Sequence, residues 1–152
     1  MIARTLRKIV FCVASLCYLR FEFFNVMNKK YQLGLLYLVH LLVSADGIVD
    51  ENELAALQRI KEREGISKET FHEFEEAVKE KKERDIYQSG IELLNQCNDE
   101  EKLRAFVTLY KMSEVDGRVH VKEVRLLLYS IKLAGIEFDD VVSQAKSFPS
   151  IF

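Results

Sequence analysis

Three features of the sequence predict an all-α fold. Apolar residues recur at three- and four-residue spacing from Tyr31 onward, no alternating apolar/polar run of strand length appears, and capping and stopping residues punctuate the chain at helix-length intervals. They describe a single compact bundle of about seven helices with an internal two-fold duplication. The duplication rests on one stretch, Ala45-Asp46-Gly47-Ile48-Val49-Asp50-Glu51-Asn52-Glu53, and its echo Val115-Asp116-Gly117-Arg118-Val119-His120-Val121-Lys122-Glu123, 70 residues later. The same offset aligns Leu57 with Leu127 and Gly65-Ile66 with Gly135-Ile136. Two copies cannot form a solenoid, so the reading is one domain built from two related halves.

The elements follow in order. Leu35, Leu36, Val39, Leu42 and Val43 give the first helix one buried face, and the Asp46-Gly47 turn stops it. A second helix carries an Asp50-x-x-Glu53 capping arrangement, points Leu54, Leu57 and Ile60 inward and ends at Gly65 as a C′ glycine. Ser67 can cap a third with a Phe71, Phe74 and Val78 stripe, and Lys79 to Arg84 form its charged, solvated end. Asp85-x-x-Gln88 opens a fourth, bearing Ile86, Ile91 and Leu94 despite Gly90, which costs a helix interior about 1 kcal/mol relative to Ala. Asn98-x-x-Glu101 opens a fifth with Leu103, Phe106, Val107, Tyr110 and Met112, the counterpart of the first. After the second Asp-Gly turn, Val124, Leu127, Leu128 and Ile131 mark a sixth helix ending at Gly135. Asp139 or Asp140 caps a short seventh with Val141, Val142 and Ala145, and Pro149 forbids its extension.

The helical domain is taken as 27–152. Residues 1–26 differ: Arg4, Arg7 and Lys8 precede the apolar run Ile9 to Leu19, which is shorter than the roughly 20 residues a membrane-crossing helix needs. Three readings stand: Met27 as the true first residue, an anchor or uncleaved signal, or an extra helix on the domain. The whole chain of 152 residues has 22 basic and 24 acidic residues, a net charge of −2, which gives no footprint for nucleic acid. Cys12, Cys17 and Cys97 form no C-x-x-C pair and no disulfide framework, which suits a reducing compartment such as the cytoplasm, with membrane association left open by the N-terminal run.

The chemistry concentrates at the two turns. In each, an Asp is followed seven residues later by a Glu in the first turn of the next helix, whose side chain tilts back toward the loop. Two carboxylates then converge beside a Gly and repel unless a cation joins them. Oxygen donors of this kind suit hard divalent ions, Ca²⁺ or Mg²⁺. The candidate ligands are Asp46, Asp50 and Glu53 in the first turn and Asp116 and Glu123 in the second. The plain alternative is helix capping, which the second copy weakens, because His120 stands where Asp50 stands while the Asp and Glu remain. Arg118, His120 and Lys122 could also neutralise the second pair without a metal. An EF-hand loop fails at its first and third positions, which would be Leu42 and Ser44, or Met112 and Glu114.

The pattern of apolar helix, A-D-G-x-V-D-x-x-E, helix ending in G-I, and the echo V-D-G-x-V-x-x-x-E resembles the tellurite-resistance TerB-like family, over about Lys30 to Phe148. That family resembles in turn the N-terminal domain of membrane-anchored DjlA-type co-chaperones. The resemblance implies an internally duplicated all-α bundle with clustered acidic residues proposed to bind metal ions. It implies a role in bacterial stress response beside membrane proteins, and it points to Asp46, Glu53, Asp116 and Glu123, with Asp50 as a further ligand. His120 is the departure from the pattern.

No other constellation competes. His40, His72 and His120 have no zinc-site spacing, His40 reads as a core histidine and His72 as a surface one. No G-x-S-x-G, phosphate loop or base beside Cys97 supports nucleophilic catalysis. The expectation is a non-enzymatic cation-binding domain with a protein partner, membrane-associated ones included, and no nucleic-acid or small-molecule substrate. Its alternatives are a metal-free interaction domain and, more remotely, a metal-dependent hydrolase.

Overall fold

The computed structural model describes residues 29–44, 51–114 and 121–147, apart from the side chains of residues 52, 53 and 123. Seven helices organise them: α1 (Lys29–Val43), α2 (Glu51–Arg63), α3 (Lys68–Glu80), α4 (Glu83–Asn95), α5 (Asp99–Ser113), α6 (Val121–Ala134) and α7 (Phe138–Ser147). No strand occurs among the described residues, and the chain is an all-α bundle. The N-terminal run, His120 and Pro149 lie outside the described residues.

The single buried face expected for α1 is too narrow. Twelve of its fifteen residues are buried, from Tyr31 round to Val43. A helix that is apolar all round belongs inside a fold, and α3, α4 and α5 all pack on α1. Its most extensive partner is α4, and two glycines explain the close approach. A Cβ on Gly34 would meet Leu94 Cγ at 3.0 Å and the Gly90 carbonyl at 3.2 Å, while one on Gly90 would meet Leu38 Cδ2 at 3.1 Å and Tyr37 Cβ at 3.2 Å. Gly90, a helix-weakening residue in sequence terms, is what lets the two backbones meet.

Other faces rotate relative to expectation. On α2 the inward positions are Ala56 and Ile60 with Leu57 partly buried, whereas Leu54 is more than half exposed. The i, i+4 row of Ala56, Ile60 and Glu64 sets the inward face, and Leu54 lies off it. On α6, Leu127, Ser130, Ile131 and Ala134 are buried and Leu128 is not. The helix α4 begins at Glu83, two residues before the expected Asp85 start, and its N-cap Lys82 makes no side-chain cap bond. The Lys79 to Arg84 run thus covers the last two residues of α3, the Lys81-Lys82 connection and the first two residues of α4. The last helix begins at Phe138, which moves Asp139 and Asp140 from the cap into the first turn, where carboxylates favour the helix dipole.

The Asp50–Glu53 cap lies outside the described residues, and the caps at Ser67 and Asn98 are as expected. Ser67 Oγ accepts from the Thr70 amide at 3.1 Å. Asn98 and Glu101 form a reciprocal capping box. Both expected stop glycines have positive φ, 59° at Gly65 and 71° at Gly135. Each ends its helix in a Schellman motif: the Ile66 amide donates to the Lys61 carbonyl at 2.9 Å and the Ile136 amide to the Ile131 carbonyl at 3.2 Å.

The element boundaries carry the sequence offset. α1 and α5 each span fifteen residues and start 70 apart, as do the first residues of α2 and α6 and of α3 and α7.

Candidate metal centre

Each turn is held by a buried helix end. The first leaves α1, where Leu42 and Val43 are buried, and Ser44 closes the helix with an amide bond to the His40 carbonyl at 3.0 Å. The second leaves α5 at the buried Met112 and Ser113, whose hydroxyl donates to the Tyr110 carbonyl at 2.8 Å. Asp46, Asp50 and Asp116 lie outside the described residues, as do the side chains of Glu53 and Glu123. The backbone does fix one point: Glu53 and Glu123 are each the third residue of their helices, α2 and α6. That is the first turn, as the seven-residue spacing required.

The end of α1 and the start of α6 line one cavity. A cavity of about 490 Å³ is lined by Leu41 near the end of α1, Glu83, Arg84 and Tyr87 at the start of α4, and Lys122 and Leu126 at the start of α6. Leu41 stands two residues before the end of α1 and Lys122 is the second residue of α6. Among the described residues no group of three or more His, Cys, Asp or Glu side chains is placed to hold a metal ion. The five carboxylates expected at the turns are not among those described side chains.

A family model described as "Tellurite resistance protein TerB" matches residues 32–145, most of the chain and all of the described bundle except its two ends. The chain belongs to the TerB family. No curated protein and no solved structure gives a significant match. TerB is not a known enzyme family.

The histidines and the cysteine behave as a packed core and surface would have them. His40 is half-buried, edge-on to Phe74 with ring centroids 5.8 Å apart, and burial lowers its pKa against the opposing pull of Glu83. His72 is exposed beside Glu75. Cys97 gives its thiol proton to the Leu93 carbonyl at 3.3 Å, and burial, reinforced by Glu101, pushes it up to about 11, so it is no nucleophile at neutral pH.

Sequence reasoning missed a buried polar cluster. The Glu64 side chain is 1% exposed and pairs with Arg104 Nη2 at 2.9 Å. Tyr31 Oη donates to the same Glu64 oxygen at 3.0 Å, and Gln32 Nε2 donates to the Glu64 carbonyl at 2.9 Å. The cluster ties the end of α2 to α1 and α5, and through α2 it sets the direction of the helix that bears Glu53. Burial raises the Tyr31 pKa steeply, with the Glu64 charge adding to it. Burial alone would lower the Arg104 pKa, but Glu64 and Tyr31 reverse that and hold it up. The signal was present: Glu64 stands at the C-terminal end of α2, against the helix dipole, where an acid needs a partner.

Proposed function

We propose that the chain binds a divalent cation, Ca²⁺ or Mg²⁺, through Asp46, Asp50 and Glu53 at the first turn and Asp116 and Glu123 at the second. In this reading it is a non-enzymatic module of a stress response that works by engaging a protein partner when loaded. The two halves are versions of one helix–turn–helix–helix unit. One observation carries the reading: an Asp, a Gly and a Glu at fixed spacing recur 70 residues apart, and in both places the Glu stands in the first turn of a helix. The bound ion would supply the charge that lets clustered carboxylates share a turn; it would also tie α1 to α2 and α5 to α6. Family membership supports the bundle and leaves the ion and the partner to experiment.

The test is the melting temperature of the full chain after chelation and then with Ca²⁺, Mg²⁺, Mn²⁺ or Zn²⁺ added separately, beside Asp46→Asn and Asp116→Asn. A ligand at a hundredfold excess over its Kd stabilises the folded state by about 2.7 kcal/mol. A rise with one ion, abolished by either substitution, names the half-site that matters. No rise with any ion would leave the carboxylates as helix caps and the domain as a metal-free interaction module.

A further inference from the structure

The inner side of α6 is packed on α4, α5 and α7. Its outer side presents Leu128 at 44% exposure, Tyr129 at 59% and Leu133 at 47%, with Val121 exposed at the N-terminal end. Arg125 and Lys132 are exposed too, and their sequence positions fall between these residues round the helix. Neither cation has an ion-pair partner among the described residues. Glu123 stands two positions before Arg125, on the far side of the helix register, and the next acids along the chain, Glu137, Asp139 and Asp140, follow the Gly135 turn. Single exposed apolar residues need no explanation, but a stripe of two leucines and a tyrosine interleaved with cations along one helix does. Lys132 in the last turn also suits the helix dipole, which accounts for neither Arg125 nor the apolar residues.

Charge decides among the occupants. A second copy of the same face would set Arg125 and Lys132 against their own kind across a two-fold contact. The chain's own residues 1–26 carry Arg4, Arg7, Lys8 and Arg20 against one acid, Glu22, so they too are cationic although the whole chain is at −2. The apolar, cationic α6 face and the apolar, cationic N-terminal segment repel each other and share one complement. We propose that the outer face of α6 lies against an anionic lipid bilayer surface, with Leu128, Tyr129 and Leu133 at the headgroup boundary and Arg125 and Lys132 on the lipid phosphates. Interfacial helices have this composition. No described helix is long and apolar enough to cross a membrane, and a surface contact requires none.

The chain contains no tryptophan, so Tyr129→Trp places a lone reporter on this face. Full-length Tyr129→Trp is mixed with vesicles of phosphatidylglycerol and phosphatidylcholine, and separately with pure phosphatidylcholine. The expected result is a blue shift of emission with the anionic vesicles alone, weakened by high salt. Arg125→Gln with Lys132→Gln in the same background should lower the partition coefficient roughly 25-fold, at about fivefold per cation. These positions are exposed, so an unchanged melting temperature establishes that the variants fold. Vesicle binding without an emission shift would give the contact to residues 1–26 and overturn the proposal, as would an unchanged partition coefficient in the double variant or no binding at all. Tyr129 stacks on Tyr87 of α4 with ring centroids 6.3 Å apart, so the shift is read against the lipid-free emission of the same variant.

Discussion

Removal of the Arg104 side chain tests the buried cluster most sharply. Breaking a fully buried ion pair by deleting one partner costs about 3–5 kcal/mol, because the other charge is left without compensation. A pair at the surface costs about 0–1 kcal/mol. Here the partners differ: Glu64 is enclosed, but the Arg104 side chain is 40% exposed, so solvent already screens one end of the pair. Arg104→Ala should therefore cost about 2 kcal/mol, between the two limits. Glu64→Gln leaves a guanidinium that can turn to water and an amide oxygen that still accepts from Tyr31, so it should cost less, about 1 kcal/mol. The double variant leaves no bare charge and should cost less than the two single costs added together. Urea unfolding of the four proteins, followed by helical circular dichroism, measures the cycle. Two results would refute the reasoning: Arg104→Ala within about 0.5 kcal/mol of wild type, or Glu64→Gln more damaging than Arg104→Ala.

Further expectations concern backbone, packing and pH. Gly90→Ala should destabilise by about 1–2 kcal/mol despite the better helix propensity of Ala, since its methyl would press on buried Leu38 and Tyr37; a gain in stability would mean that α1 and α4 can separate freely. Gly65→Ala and Gly135→Ala should each cost about 1–2 kcal/mol, read by thermal melts, because both glycines have positive φ and open space for a methyl, leaving the backbone as the sole cost. For Tyr31 the folded pKa lies above the unfolded value near 10, so its contribution is intact below pH 10 and is lost as pH rises beyond it; Tyr31→Phe should flatten the alkaline limb of the stability curve. Burial of the Cys97 thiol predicts slow alkylation of the native protein at pH 8 relative to the urea-unfolded chain, measured by mass spectrometry of that cysteine.

What the sequence could reveal depended on how local the cause was. Ser67, the Asn98–Glu101 box and the two stop glycines act within a few residues, and each stands where the pattern put it. Faces were harder. Leu54 and Leu128 fit an apolar periodicity, but which residues of a helix turn inward depends on the neighbours it meets, and small residues, Ala56 on α2 and Ser130 with Ala134 on α6, mark the inward side instead. Gly90 read as a weakness because its reason, Leu38 on α1, is 52 residues away. The Glu64 cluster likewise joins residues more than thirty apart, and no spacing rule reaches across that distance. Of the candidate centre, the third-residue placement of Glu53 and Glu123 was legible from the spacing, and the positions of Asp46, Asp50 and Asp116 fall outside the described residues.

The helix α4 packs unequally on the two helices that precede the Asp-Gly stretches. It packs far more on α1 than on α5. That neighbour helps to bury α1 on nearly all sides and requires Gly34 at the crossing, whereas the position 70 residues on, on α5, holds Arg104, which reaches the Glu64 cluster. At the end of α2 stands buried, paired Glu64; at the matching position on α6 stands Ala134, held by packing alone. Positions that share an offset have therefore taken residues as different as Gly and Arg, or Glu and Ala, wherever their surroundings differ. The Asp, Gly and Glu of the turns recur across that same difference in packing. Packing common to both halves is thus a poor reason for their recurrence. A local demand made on both turns, a helix cap or oxygen donors for a cation, is the better one.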